Sequence, residues 1–327
     1  MLRKHFALPS LWALAALLVA FWWGGFNAFL LASVLVVLEV TLSFDNAVVN
    51  AKVLERMSPI WQRRFLTWGM IVAVFGTRII LPVIIVAMTA WESPLLIARL
   101  ALSDPSAYAA LLNEAHYAIG AFGGIFLAMV ALKYFFDEAK SVHWIRVIER
   151  HLAKWGRIEA IEILLGLLVI IGISFIVPDI ARGTVLLSGI VGIALFIAME
   201  AIAGAFDVEA TSAHASGFAL FAYLNVLDSA FSLDGVIGAF ALTTDLVVIA
   251  VGLGVGAYFV RSMTIYLVAQ GSLKSITYLE HGAHWAILGL ALVMLVGLVV
   301  HVPEIVTGTI GLAFVVAAYW SSVRKKT

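Results

Sequence analysis

The chain has 327 residues, of which 63% are hydrophobic and 12% are charged. A soluble domain is about half apolar and about a quarter charged, so this composition excludes an ordinary soluble protein. The twenty basic and twenty acidic residues cancel, which gives no basic field for nucleic acid. Cysteine is absent, so disulfides, thiolate metal sites and thiol redox chemistry are excluded.

Long apolar runs follow one another along the chain and predict membrane-crossing helices, which need about 17–25 residues each. Breakers such as Gly24-Gly25, Pro94, Pro178 and Pro303 separate the runs. The first run could also be a signal peptide, but no small-residue cleavage site follows it. We therefore expect an all-α, polytopic transmembrane helical bundle with ten helices, at 8–23, 26–50, 65–90, 116–136, 159–177, 184–204, 218–242, 246–269, 284–300 and 304–320.

Lysine and arginine indicate how these helices are oriented. They cluster at the N-terminus, in segments 51–64 and 137–158, and in the C-terminal tail. With ten helices, all four clusters fall on one side, which the positive-inside rule assigns to the cytoplasm. The pattern predicts a multi-pass protein of the cell inner (plasma) membrane with both termini in the cytoplasm.

The connector 137–158 is both basic and aromatic. Its apolar residues Trp144, Ile148, Leu152 and Trp155 recur at helical spacing. Such a helix either lies in the lipid headgroup region or forms a solvated link between two spans. The sequence alone leaves both readings open.

A repeated motif divides the chain into two related halves. The stretch LEVTLSFDNAV (38–48) aligns without gaps on LDSAFSLDGVI (227–237), so both read acid-x-x-x-Ser-x-Asp. A mid-helix arginine, Arg78 or Arg261, and then an Ala-His helix start, at His116 or His284, follow each motif in the same order. The acid helix is the second and the seventh of ten. An odd offset reverses direction, so we expect two inverted five-helix repeats, 1–183 and 184–327, as in transporters.

Each acidic helix carries a polar stripe in an otherwise apolar span. Glu39, Ser43, Asn46 and Asn50 share one face of a regular helix, and the equivalent stripe comprises Asn225, Asp228, Ser232 and Gly235. The second acid of each motif, Asp45 or Asp234, lies about 120° round the helix from the first. Either the helices unwind near Ser43 and Ser232, or the acids serve successive positions along a path.

The charges of the two motifs suggest a bound cation. Four carboxylates and two guanidiniums leave a formal charge of −2, which one divalent cation would neutralise. Oxygen ligands suit Mg²⁺, Ca²⁺ or Mn²⁺, and a histidine nitrogen would favour Mn²⁺ or carry protons. The expected metal ligands are Glu39, Asp45, Asn46, Asp228 and Asp234, supported by Ser43, Ser232, Arg78, Arg261, His116 and His284.

Plainer readings compete with this site. A buried acid could pair with Arg78 or Arg261 as a structural bridge, because an unpaired charge is costly in a membrane. The two motif serines could bond carbonyls of their own helices. The histidines could serve packing alone.

The motifs resemble those of the TerC/Alx family of integral membrane proteins, in its longer branch. The resemblance rests on EVTLSFDNAVV and LDSAFSLDGVIGAF, with GTR in mid-helix and EAHYAIGAFGGIFLAMVALK, and covers about 30 to 300. It implies manganese export and a link to tellurium resistance, carried here by Glu39, Asp45, Asn46, Asp228 and Asp234. Gly235 stands where the first motif has Asn46, so the two halves are not fully symmetric.

The sequence thus predicts a divalent-cation transporter, most plainly for Mn²⁺ leaving the cytoplasm, coupled to protons or membrane potential. The expected partners are this cation and the lipid bilayer, without nucleic acid or a resident cofactor, and a homo-oligomer is left open. One alternative is a non-transporting membrane scaffold or metal sensor in a metal or tellurite stress response. Another is an intramembrane aspartyl protease with Asp45 and Asp234 as its dyad. The surrounding acids and the two arginines would disturb the proton sharing that such a dyad needs, so we expect that the protein is not an enzyme.

Overall fold

The computed structural model describes residues 2–208, 213–269, 276–300 and 302–326. These residues form helices and short connections, with no strand among them, so the predicted all-α class is confirmed. A π-helical segment, Val72–Ile80, joins α3 to α4. The helices are α1 (Leu2–Leu42), α2 (Phe44–Glu55), α3 (Pro59–Ile71), α4 (Leu81–Ala90), α5 (Pro94–Ser103), α6 (Pro105–Glu114), α7 (His116–Phe135), α8 (Arg146–Trp155), α9 (Ile161–Ser174), α10 (Asp179–Val208), α11 (Ala213–Leu242), α12 (Leu246–Ala269), α13 (Leu279–Gly297) and α14 (Glu304–Lys326).

Within the described ranges, seven helical stretches are long and apolar enough to cross a bilayer. They are Phe6–Thr41, Val72–Ala90, His116–Phe135, Asp179–Ile202, Gly217–Phe240, Leu246–Ala269 and Leu279–Gly297. The chain is therefore a multi-pass membrane protein. The ten predicted spans exceed this number for three reasons. Phe6–Thr41 counts once, Ile161–Ser174 is shorter than a span, and Glu304–Lys326 is not among the seven.

Two backbone breaks interrupt the first helices, close to the positions that the sequence indicates. Gly24 and Gly25 leave helical geometry in the middle of α1, and Gly25 has φ of +67°, a conformation that favours glycine. Ser43, with φ of −100° and ψ of 16°, separates α1 from α2. Backbone hydrogen bonds still run from Ser43 to Glu39 and from Ala47 to Ser43, so the second break is a kink and not an open loop. In the second motif, α11 continues through Ser232 without interruption.

The chain forms two compact units, each made from two separate stretches. The first unit comprises 1–116 and 213–270, and the second comprises 117–212 and 271–327. Both acidic motifs belong to the first unit, whereas both Ala-His helices, α7 and α13, belong almost entirely to the second. Each unit therefore draws on both predicted halves, and the half boundaries at 183 and 184 stay a prediction.

In the first unit, α1 packs closely along α12 because small residues line their contact. The buried stripe Ala28, Ala32, Leu35 and Glu39 of α1 faces α12. On α12, a Cβ at Gly252 would overlap Leu35, and a Cβ at Gly256 would overlap the Cβ and Cγ of Glu39. Helices in lipid associate through close packing because no hydrophobic force draws them together, and small residues spaced four apart let their backbones approach. The approach places the Glu39 side chain against the α12 backbone.

In the second unit, a buried carboxylate fastens the 137–158 connector to α13. Glu149 on α8 is 2% exposed. Its Oε1 accepts hydrogen bonds from Trp285 Nε1 (2.9 Å) and the Ile145 amide (3.2 Å). Its Oε2 accepts from His281 Nδ1 (2.8 Å) and the Trp144 amide (2.9 Å). Four donors satisfy this carboxylate, so α8 has one fixed inward face.

Substitution of Gly256 tests the close approach of α1 and α12. Gly256→Ala forces a methyl group into the Glu39 side chain, whereas Gly254→Ala, on the same helix, meets only Val74 at an ordinary 3.7 Å. We expect Gly256→Ala to lower the free energy of unfolding by about 1–3 kcal/mol through overpacking. Gly254→Ala should leave it unchanged or raise it slightly. Unfolding in mixed micelles measures both, and equal effects would contradict the packing described.

Glu149 should make the stability of the second unit depend on pH. Burial favours the neutral acid, but hydrogen bonds from His281, Trp285 and the Ile145 amide outweigh it and lower the pKa of Glu149 from 4.5 to about 2. The folded carboxylate therefore contributes stability above pH 4.5, which is lost as pH falls from 4.5 towards 2.

The comparison of Glu149→Gln with wild type measures this contribution. The loss of melting temperature should be largest at neutral pH and shrink as pH falls through that window. Glu138→Gln, a half-exposed acid of the same connector, is the matched control and should shift the melting temperature little at any pH. A pH-independent effect of Glu149→Gln would refute the assignment.

Candidate functional site

The two acidic motifs meet at one small cavity inside the first unit. The cavity has a volume of about 10 Å³, which is room for roughly one water molecule. Both first acids of the motifs contribute to its wall, together with both motif serines and both mid-helix arginines. Its lining residues are Glu39, Ser43, Asn46, Arg78, Asp228, Ser232, Ala257, Val260 and Arg261. The spacing of the polar stripes predicts this meeting of the first acids and the serines.

Glu39 forms a buried ion pair with Arg78. Arg78 Nη2 contacts Glu39 Oε1, and the two side chains are 7% and 3% exposed. Ser43 Oγ donates to the same carboxylate oxygen at 3.3 Å. Arg78 Nη1 donates to the Ala73 carbonyl at 2.7 Å, and Thr77 Oγ1 donates to that carbonyl at 2.5 Å. The π-helical segment thus supplies both the guanidinium and a backbone acceptor that holds it.

Asp228 is held by one residue from each of two neighbouring helices. Asn46 Nδ2 on α2 donates to Asp228 Oδ1 at 2.8 Å, and Arg261 Nη2 on α12 donates to Oδ2 at 3.2 Å. Arg261 Nη1 donates to the Phe65 carbonyl at 2.7 Å, and its guanidinium carbon lies 4.2 Å from the Phe65 ring centre. Residues from four helices therefore fix this second ion pair.

Among the described lining residues the charges cancel, whereas the four acids and two arginines counted from the sequence leave −2. Two carboxylates, Glu39 and Asp228, face two guanidiniums, Arg78 and Arg261. The structural-bridge reading of the sequence thus describes the arrangement of both first acids. Each guanidinium lowers the cost of holding a carboxylate away from water, since an unpaired buried charge is far less stable.

Two buried oxygen atoms of the lining residues have no hydrogen-bond partner among the residues that the structure describes. They are Asn46 Oδ1 and Ser232 Oγ, and both residues are nine-tenths or more buried. Ser43 and Ser232 therefore do not bond carbonyls of their own helices, as the plainer reading of the serines required. Amide and hydroxyl oxygens are hard ligands of the kind that Mg²⁺, Ca²⁺ and Mn²⁺ accept. The cavity combines two such atoms with two carboxylates.

The remaining predicted ligands lie elsewhere or outside the described side chains. Asp45 is buried, but it does not line the cavity, and its Oδ1 accepts the Asn46 amide at 2.9 Å. Asp234 lies in α11, and its side chain is outside the described part of the structure. His116, whose Nδ1 lies 2.7 Å from the Asn113 carbonyl, does not line the cavity.

His284 belongs to the second unit, where it stacks on Tyr134 with ring centres 3.5 Å apart. Among the described side chains, no three histidines or acids form a group that could hold a metal ion. The expected set of five ligands is thus reduced, among described side chains, to Glu39, Asn46 and Asp228.

A larger cleft adjoins the site and shares Arg78 with it. The cleft has a volume of about 860 Å³ and is walled mainly by apolar residues of α1, the π-helical segment, α5 and α12. Among the described residues that line it, Arg78 is the one that carries a charge. An apolar wall offers no ligands to a hydrated ion, so this cleft does not suit a water-filled ion path.

Two backbone acceptors of the site escape sequence analysis. The carbonyls of Phe65 and Ala73 hold the two guanidiniums, yet nothing in an apolar helical run distinguishes them. Gly69 offered an indirect signal, because a Cβ there would overlap the Arg261 guanidinium. A glycine within a helix often marks such a close approach.

The family of this chain follows from a match that covers most of its length. A family profile described as "Protein of unknown function (DUF475)" matches residues 44–327. The chain belongs to the DUF475 family. The part shared with DUF475 includes Asn46, Arg78, Asp228 and Arg261, and it begins after Glu39 and Ser43. The searches of curated proteins and of solved structures found no match.

The Asp228–Arg261 pair predicts a strongly non-additive response to mutation. Asp228→Asn leaves the Arg261 guanidinium buried and uncompensated, which should cost about 3–5 kcal/mol of unfolding free energy. The double variant Asp228→Asn with Arg261→Gln should recover most of that loss. Asp179→Asn, which breaks the exposed Asp179–Arg182 pair, is the control and should cost no more than about 1 kcal/mol. Additive losses in the double variant would rule out a coupled buried pair.

Proposed function

We propose that this chain is a secondary transporter for a divalent metal cation, with Mn²⁺ leaving the cytoplasm as the leading case. Protons or the membrane potential would drive it. Glu39, Asp228 and Asn46 would supply the principal ligands, and Ser43 and Ser232 would assist. Asp45 and Asp234 stay candidate positions further along the path.

One observation carries the proposal: the first acids of both motifs line the same buried cavity together with two oxygens that have no partner among the described residues. An ionisable residue within a membrane is by default functional, because retaining it there is costly. Here two acids, two arginines and an asparagine line a cavity of about 10 Å³. A dehydrated cation needs oxygen ligands at close range, and this group offers them.

The two arginines suggest how such a site would work without a cation. A carboxylate that has lost its metal would be a lone buried charge, so Arg78 and Arg261 would take the metal's place as tethered counter-ions. Cation entry would then displace one or both guanidiniums from Glu39 and Asp228. We propose that the ion-paired arrangement is the cation-free state and that pairing and metal binding are mutually exclusive at each acid.

The finer architecture is part of the proposal. The inverted repeats, the ten spans with cytoplasmic termini and the inner-membrane location go beyond the seven long apolar helices and rest on the repeat order and the four basic clusters of the sequence. Each compact unit combines residues from both predicted halves, and both acidic helices fall in the same unit. This arrangement supports a duplication whose two halves share both units. We also propose a relationship to the TerC/Alx family on the motif residues alone.

The neutral charge balance of the cavity's described lining residues favours a second candidate. If both ion pairs are permanent, the chain is a non-transporting membrane scaffold or sensor, and Glu39 and Asp228 only lock helices together. The protease alternative gains no comparable support, because Asp45 is held by the Asn46 amide at the start of α2. We therefore propose that the protein is not an enzyme.

Metal flux in proteoliposomes separates the transporter from the scaffold. Purified protein is reconstituted with a metal-sensitive dye inside, and Mn²⁺, Ca²⁺ and Mg²⁺ are each added at two pH values. We expect Mn²⁺-dependent flux that changes with pH. Glu39→Gln should reduce it by at least about tenfold, since loss of even an outer-shell partner of a metal ligand costs about 10–100-fold.

Matched variants separate lost ligation from lost folding. Asp228→Asn with Arg261→Gln should be stably folded and still fail to transport, whereas Asp179→Asn, on an exposed pair, should transport normally. If the double variant carries Mn²⁺ as well as wild type does, Asp228 is not a ligand. If wild-type protein of native stability carries no divalent cation, the scaffold reading replaces the transporter.

A further inference from the structure

Helix α8 presents a row of large apolar side chains away from its own unit. Val147, Ile148, Trp155 and the following Ile158 are 76%, 46%, 51% and 54% exposed. At 100° per residue Val147, Ile148 and Trp155 fall within about 100° of one another, with the exposed His151 between them, roughly opposite Glu149. The row is therefore an organised face of the helix, and the protein leaves it open to its surroundings.

The buried anchor of α8 sets the direction of this face. Glu149 accepts four hydrogen bonds, two of them from His281 and Trp285 on α13. Gly156, just past the end of α8, packs so tightly on the Phe136 carbonyl that a Cβ would not fit. The helix is thus held at its middle and at its end, and it cannot roll its apolar row inward.

A basic edge runs beside the apolar row. Arg146, Arg150, Lys154 and Arg157 follow one another at helical spacing, and all four are exposed. Arg157 Nε lies 3.8 Å from Glu138 Oε2, and both side chains are solvent-accessible, so this pair is weak. The edge keeps most of its positive charge available to an anionic partner.

We propose that α8 lies in the membrane surface, with its apolar row among the acyl chains and its basic edge on anionic phospholipid headgroups. An apolar face flanked by lysine and arginine is the pattern of interfacial helices. Basic side chains reach headgroup level while their stems cover apolar surface.

The chain connectivity favours a bilayer over a protein partner. Helix α7 (His116–Phe135) is long and apolar enough to cross the membrane, and only residues 136–145 separate it from α8. The helix therefore emerges within reach of a lipid surface. Positive charges gain free energy near anionic lipid, and that gain is lost on neutral lipid.

The absence of native cysteine makes a direct test simple. Single cysteines are introduced as Ile148→Cys, Trp155→Cys and Ala139→Cys, and each is spin-labelled in proteoliposomes containing anionic phosphatidylglycerol. Ala139 is an exposed position of the same connector outside α8 and serves as the control. We expect the labels at 148 and 155 to contact oxygen in the lipid and exclude a water-soluble nickel relaxant, whereas the label at 139 contacts nickel.

Lipid charge and the basic edge test the second half of the proposal. In liposomes of neutral phosphatidylcholine, or with Arg150→Gln and Lys154→Gln in the anionic liposomes, nickel access at 148 should rise by at least about twofold. Nickel access at 148 and 155 equal to that at 139 would overturn the interfacial placement. Access that is low for both relaxants would instead indicate a protein contact, and independence of lipid charge would overturn the headgroup assignment.

Discussion

The pairing of buried carboxylates with buried guanidiniums is the constraint on which the first unit depends. Glu39 and Asp228 sit among apolar helices, where a lone charge costs several kcal/mol even by lenient scales. Each finds its counter-charge on a different helix, Arg78 or Arg261. The requirement for neutrality thus ties α1, α2, α11, α12 and the π-helical segment into one arrangement, independently of whether a cation ever enters.

Backbone geometry serves that pairing. Gly256 lets the α12 backbone lie against Glu39. A Cβ added at Gly235 would lie only 3.1 Å from Glu39 Oε2. Gly69 makes room for the Arg261 guanidinium in the same way. The carbonyls of Phe65 and Ala73 then each accept one further hydrogen bond, from Arg261 Nη1 and Arg78 Nη1 respectively. The polar centre of an apolar unit is built by removing side chains around it as much as by supplying polar ones.

Periodicity and repetition made much of this predictable from sequence. Apolar run length gives the all-α membrane class, and the shared acid-x-x-x-Ser-x-Asp motif brings Glu39, Ser43, Asp228 and Ser232 to one cavity. The sequence could not decide the charge balance, because it left open whether Asp45 and Asp234 reach the same point as the first acids of their motifs. In the structure the helix kinks at Ser43, and Asp45 accepts a hydrogen bond from the Asn46 backbone amide and does not line the cavity. The position of Asp45 depends on three-dimensional contacts that the sequence pattern does not encode. The same is true of the role of Glu149.

The π-helical segment also has a mechanical consequence. A π-helical turn holds more residues than an α-helical turn, so rewinding this segment as α-helix would rotate the residues beyond it about the helix axis. Arg78 lies in this segment and lines both the small polar cavity and the large apolar cleft. A change of winding there would therefore alter the position of the Arg78 guanidinium relative to Glu39.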